Sequence, residues 1–229
     1  MLKKTEGIVL SAIKYKETSL IVRIFTRELG LKSYIINGIR SQGKKSKAAL
    51  FQPMTLLELV VYEKESSSLQ RISEAKISHP FRLIPFDFSR SGMAMFMAEV
   101  TGKAIYDNYQ NEWLYDFLSE SLHRLDQNTS DIKHFPLAYL VKQAQFLGFG
   151  PDEADEYLQE SRSLPFATEE IPLVKSYLEA LLSDGFRCSS THGIRIRRLL
   201  LDYLLEFYSE QLDNPSPWKS IGILRQLMP

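Results

Sequence analysis

Residues 19–39 read SLIVRIFTRELGLKSYIINGI. Two runs dense in Ile, Val, Leu, Phe and Tyr, 19–26 and 31–39, flank the pair Leu29-Gly30. A run of that composition bounded by turn residues reads as a strand. Working outward, 7–13, 55–62 and 69–77 have the same character, and the charge and serine cluster 63–68 separates the last two. Five strands within the first eighty residues predict a small barrel. A five-stranded, partly open Greek-key barrel is the OB-fold arrangement, which commonly binds oligonucleotides on one face and in its loops.

Pro80 and Pro85, interleaved with Phe81, Phe86 and Phe88, interrupt any continuous helix, because each proline pushes the residue before it out of the α region. A boundary near residue 80 follows. Beyond it the apolar period lengthens from two to about 3.6 residues. Met93, Phe96, Met97, Val100 and Ala104 share one face; Leu114, Phe117, Leu118, Leu122 and Leu125 share another. Leu137, Leu140, Val141, Ala144 and Leu147 make a third, with Asp131 expected as its N-cap and Gly148 as its end. Ile196, Leu199, Leu200, Tyr203, Leu204, Phe207 and Tyr208 form the strongest stripe. The expected fold class is therefore α+β, with a barrel domain over 1–79 and an all-α domain over 80–229.

Apolar residues at 44% and charged residues at 24% suit a chain that buries a real core. No apolar run approaches the roughly 20 residues that span a bilayer, and no signal peptide is expected. Cys188 is the only cysteine, which leaves no intrachain disulfide and no thiolate-rich zinc site and fits a reducing cytoplasm.

The formal net charge is zero, but it is divided by position. Residues 1–79 hold fourteen Lys and Arg against seven Asp and Glu, and residues 80–229 reverse that excess. No acid occurs between Glu28 and Glu58, a stretch containing Lys32, Arg40, Lys44, Lys45 and Lys47. Cations crowded within a Debye length, roughly 8 Å at physiological salt, add into one field that attracts a polyanion. A charge run can also be a plain solvated face. Single-strand binding couples such a groove to stacking rings, and Tyr15, Phe25, Tyr34 and Phe51 are the available ones; for each, burial in the barrel core is the commoner fate of such a ring.

Residues 38–45, GIRSQGKK, nearly spell a phosphate-binding P-loop, but Lys45 stands where a hydroxyl should hold magnesium, and Pro53 leaves no room for the long helix that must follow. The histidines His79, His123, His134 and His192 lack metal-ligand spacing, and the acids at 152–156 lack the glycine of a calcium loop. No nucleophile sits beside an evident base. Neither catalytic residue, metal nor cofactor is expected. Arg195, Arg197 and Arg198 form a second basic cluster, either the polar flank of their helix or an extension of a nucleic-acid path.

Several segments together resemble the RecO family of bacterial recombination mediators. They are Glu6-Gly7-Ile8-Val9-Leu10, Tyr15-Lys16-Glu17-Thr18-Ser19-Leu20-Ile21-Val22, Phe25-Thr26-Arg27-Glu28-Leu29-Gly30, Asn37-Gly38-Ile39-Arg40 with the basic stretch leading to Leu50-Phe51-Gln52-Pro53, Phe146-Leu147-Gly148-Phe149-Gly150-Pro151, and Lys219-Ser220 with Leu224-Arg225. The resemblance implies an N-terminal OB-fold and a helical domain in a non-enzymatic DNA-repair protein of the cytoplasm and nucleoid. Such a protein binds and anneals single-stranded DNA, works with RecR, contacts the acidic C-terminal tail of single-stranded-DNA-binding protein and assists recombinase loading. It also implies that Arg40, Lys44, Lys45 and Lys47 belong to a DNA-contacting loop, to which Lys32 adds charge. Two departures stand out. Where many members carry a four-cysteine zinc site, 152–160 offers acids and no cysteine. Where the family's tail pocket uses arginines, Lys133 and Lys142 are the nearest cations. Two other readings stay open: a scaffold whose basic barrel binds an acidic protein, and a nucleotide-dependent enzyme built on the near P-loop.

Overall fold

The computed structural model describes residues 1–38, 47–64, 67–127, 132–160, 165–189, 192–212 and 216–227. They fall into two compact units, Met1–Gln127 and Asn128–Pro229.

Five strands form the closed barrel of the first unit: β1 (Leu2–Tyr15), β2 (Ser19–Thr26), β3 (Gly30–Asn37), β4 (Leu56–Tyr62) and β5 (Leu69–Ile77), in the order β1-β2-β3-β5-β4. The N-terminal half of β1, polar in sequence at Lys3-Lys4-Thr5-Glu6, is a strand because it pairs with β4 from Leu2 opposite Tyr62 to Ile8 opposite Leu56. Along its other edge β1 pairs with β2 from Gly7 opposite Thr26 to Tyr15 opposite Ser19, with an irregularity between Val9 and Ser11 that bends the strand. One strand thereby serves two neighbours and closes the sheet on that side. On the other side β3 meets β5 in a parallel ladder of three pairs only: Ser33 with Leu69, Tyr34 with Gln70 and Ile35 with Arg71. Between these strands the chain passes through a 3₁₀ turn, Lys47–Phe51, and β4.

Alternation along the strands fills the interior with Val9, Val22, Ile24, Tyr34, Ile36, Leu57, Leu59 and Val61, all buried, and Phe51 of the 3₁₀ turn closes that cluster. Phe25, Ile8, Leu10 and Leu31 are buried as well. Two helices account for this: α1 (Phe88–Ala104), which packs on β1, and α2 (Glu112–Leu125). The Phe25 ring lies 6.2 Å from Tyr115 of α2 and 6.4 Å from Tyr109. The segment joining the helices adds its backbone to the barrel, with Leu31 N–H donating to Tyr109 O (2.9 Å) and Asn108 N–H to Leu31 O (2.8 Å). Gly30, at φ 71°, starts β3 there, and a Cβ on it would fall 2.5 Å from Tyr109 O.

The junction after β5 is pinned rather than loose. Asp126, at the end of α2, accepts hydrogen bonds from the backbone N–H groups of Arg82, Leu83 (2.7 Å) and Ile84 (2.9 Å). The rings of His79 and His123 lie 4.4 Å apart beside Phe81. Asp87 and Asn111 cap α1 and α2 through Arg90 N–H and Leu114 N–H.

The second unit contains α3 (Phe135–Leu147), α4 (Ala154–Glu160), α5 (Ile171–Asp184), α6 (Ile194–Gln211) and α7 (Ile221–Leu227). Asp131 lies outside the described residues, and the N-cap position of α3 is occupied by His134, not by Asp131. Pro136 in the first turn, with φ preset and no N–H to leave unsatisfied, sets the start of the helix there. Gly148, left-handed at φ 84°, ends it as expected. Around α3 the core is aromatic: Tyr208 Oη donates to Leu140 O (2.8 Å), Tyr203 Oη donates to Tyr157 O, and the Tyr157 and Phe207 rings lie 5.2 Å apart. Among the described residues no helix is long and apolar enough to cross a membrane.

Asp126 carries a testable electrostatic role. Burial would raise its carboxyl pKa, but the three backbone donors and nearby His79 outweigh this and hold it below the ordinary value. A depressed folded-state pKa gives stability that is present above the unfolded value of about 3.9 and lost as pH falls through the folded value. Asp126→Ala should therefore cost about 2 kcal/mol at neutral pH. In urea unfolding, the gap from the wild type should close as pH falls below 4; a gap independent of pH would contradict the assignment.

Candidate nucleic-acid interface

Of the cations that make the first unit basic, those on the outer face of β2 are already spent. Arg27 reaches Asp116 with two parallel bonds, Nε to Oδ1 and Nη2 to Oδ2, both 3.0 Å, and Glu112 lies 3.6 Å away. The hydrogen bond and charge of Asp116 push the guanidinium pKa still higher. Arg23 donates to Gly102 O (3.1 Å) and to Asp107 (3.2 Å). Lys3 pairs with Glu63, and Lys76 with Glu58 at 2.7 Å. These contacts belong to the helix packing and to the barrel itself.

One stretch of the barrel surface is unfavourable to a polyanion. Glu6 faces Glu58 directly across β1 and β4, and a cleft there is also lined by Glu28 and Glu74, with Lys4 and Lys76 as its cations. Carboxylates placed opposite one another on a sheet repel.

The acid-free stretch emerges at the short β3–β5 seam. Asn37 ends β3, its Oδ1 accepting from Ser19 Oγ (2.9 Å), and Gly38 follows at φ 75°. Arg40, Lys44 and Lys45 lie outside the described residues; Lys47 opens the 3₁₀ turn, and its side chain is likewise not described. On either side of that interval, Ile35, Asn37, Leu50 and Phe51 line a groove with Arg71 and Glu74 of β5. After Lys45 come a 3₁₀ turn and a strand, not the long helix a P-loop requires. Lys32 extends its Nζ to Asn108 Oδ1 (2.7 Å) in an exposed contact.

Three of the four candidate stacking rings are core: Phe25 is 0%, Tyr34 1% and Phe51 3% exposed. Tyr34 of β3 and Phe51 of the 3₁₀ turn belong to the interior cluster, and Phe25 of β2 lies against Tyr109 and Tyr115. Tyr34 Oη is buried with no partner among the described residues, and desolvation, aided by Glu63, raises its pKa. Tyr15 is 38% exposed, with Lys16 Nζ 5.4 Å above its ring.

The remaining candidates belong to the second unit. Arg195 Nε donates to Glu170 (2.8 Å), Arg197 Nη1 to His192 O (3.1 Å) and Arg198 Nη2 to Arg225 O (3.1 Å), so each ties α6 to a neighbouring segment. Lys142 Nζ donates to Leu182 O (2.8 Å) in the last turn of α5, where a cation complements the helix dipole. Lys133 is exposed just before α3. Sequence reasoning passed over Lys64 and Arg71 at the β4–β5 turn, because only the strand register shows what stands beside them.

The first 81 residues match the family model "Recombination protein O N terminal", and residues 85–222 match "Recombination protein O C terminal". A DNA repair protein RecO from Flavobacterium psychrophilum is 35% identical over 236 residues, covering 98% of each chain. Its counterpart from Bacteroides fragilis is 38% identical over 241 residues, covering 99% of each. The chain belongs to the recombination protein O family, a family of DNA repair.

Because Arg23 and Arg27 are neutralised locally, replacing both with Ala should leave the slope of log binding constant against log salt for a single-stranded oligonucleotide unchanged. A slope reduced by the double change would place the contact surface on the helix-covered side of the barrel.

Proposed function

We propose that this RecO-family chain is a non-catalytic recombination mediator that binds single-stranded DNA through its barrel and anneals complementary strands. In the bacterial cytoplasm, at the nucleoid, it would act with RecR on strands coated by single-stranded-DNA-binding protein, engage that protein's acidic C-terminal tail, and assist recombinase loading. In this reading 1–79 carries the DNA contacts and 80–229 the partner contacts, with Lys133 and Lys142 as cations for the tail and Arg195, Arg197 and Arg198 as an outlying part of the strand's path.

One observation carries the reading: Lys3, Arg23, Arg27 and Lys76 are paired with carboxylates, whereas the stretch from Glu28 to Glu58 is free of acids and opens onto a groove at the β3–β5 seam. Contacts of this kind read phosphate rather than base edges, so binding should be largely independent of sequence. Association should be fast and strongly dependent on salt.

The test is annealing of complementary strands coated with single-stranded-DNA-binding protein, accompanied by a salt titration of oligonucleotide binding. Replacing Lys44, Lys45 and Lys47 with Ala should flatten the slope by about 0.7 for each phosphate that is no longer neutralised, and slow annealing. Unchanged slope and annealing would remove these lysines from the account. Partner capture that survives nuclease treatment, together with absent DNA binding, would favour the scaffold reading.

A further inference from the structure

The β4–β5 turn combines features that the basic stretch does not account for. Tyr62, the last residue of β4, is 46% exposed, and in the strand register it stands directly opposite Arg71 of β5. Residues paired in this way project to the same face with Cβ atoms about 5 Å apart. Lys64 follows two residues later, and Tyr62, Lys64, Ser67, Leu69, Gln70 and Arg71 line a concavity with no carboxylate among these described residues, Glu65 of the turn lying outside them. The adjacent Glu63 is engaged by Lys3, and its carbonyl accepts from the Met1 ammonium (3.0 Å).

The turn is also held in place. Gln70, 5% exposed, accepts from Lys64 N–H at 3.0 Å and donates to Lys64 O at 2.8 Å and Ser67 O at 2.6 Å. One buried amide thus satisfies three backbone groups and fixes the backbone from which Lys64 projects. Arg71 has a second aspect, since it also lines the groove where β3 ends and the 3₁₀ turn begins. The concavity is therefore continuous with the exit of the acid-free stretch. Glu74 also borders that groove, and it joins Glu58 of β4 in the acidic cleft.

We propose that this turn is a nucleotide subsite for single-stranded DNA, in which one base lies on the Tyr62 ring and the flanking phosphates are held by Lys64 and Arg71. The proposal rests on the single-strand binding proposed above and names a contact within it. An exposed ring offers a face to any base, and two cations suit the phosphates on either side. Ser67 and Gln70 spend their hydrogen bonds on the turn's own backbone, so purines and pyrimidines should both fit.

The experiment uses the full chain with a labelled thymidylate oligonucleotide and an abasic strand of the same length. Tyr62→Ala should weaken thymidylate binding about fivefold or more, leave the salt slope unchanged and leave abasic binding unaffected, while Tyr62→Phe keeps the affinity. The exposed double change Lys64→Ala with Arg71→Ala should lower the slope by about 1.4, at roughly 0.7 per phosphate. Wild-type binding matched by both sets of variants in affinity and slope would overturn the subsite and leave single-strand binding standing. A wild type that binds no strand would overturn both.

Discussion

The barrel closes through three parallel residue pairs between β3 and β5, and much else depends on how short that ladder is. Its other four seams are antiparallel and longer, with β1 shared between two of them. Parallel neighbours cannot be joined by a tight hairpin, so the chain leaves β3 at Gly38 and crosses by way of the 3₁₀ turn and β4 before entering β5. Past Ile35 and Arg71 the two strands no longer pair, and a groove opens between them. The topology that completes the barrel thus also places a long crossover and an open groove at one site, and the crossover carries the acid-free run of cations.

Charge on the first unit is sorted by pairing more than by position. Arg23 and Arg27 are used to hold the α1–α2 region onto β2, in the way that a bidentate guanidinium fixes a carboxylate. Lys3 and Lys76 are used within the barrel. A net count of +7 for 1–79 therefore overstates the field on the faces where these pairs lie. The cleft lined by Glu6, Glu28, Glu58 and Glu74 is unfavourable to phosphate, and Glu74 also borders the seam groove.

The barrel was legible because its signals are local. Runs such as 19–26 and 69–77 appear as β2 and β5 at their expected bounds, and the apolar stripe beginning at Ile196 becomes α6 with all but Leu199 buried. What failed to show depends on distant partners. The polar start of β1 is strand only because β4 lies beside it, and α1 and α2 join the compact unit of the barrel because Phe25, Ile8 and Leu10 need cover on the outer face. The same limit applies to the rings: β-period alternation marks Phe25 and Tyr34 as inward or helix-covered only once the sheet's two faces are known. Tyr62 and Arg71 are nine residues apart in sequence, and nothing but the register brings them together.

The central claim is that single-stranded DNA lies along the β3–β5 seam and the β4–β5 turn, away from the paired Arg23 and Arg27 and from the cleft at Glu6 and Glu58. Amide hydrogen exchange on the full chain, with and without a saturating oligonucleotide, tests it most directly. The account predicts slowed exchange at 35–38, 47–51 and 62–71, with 4–6, 27–31 and 58–60 unchanged. Protection centred on the Glu6 and Glu58 face, or on the helix-covered side around Arg27, would contradict it.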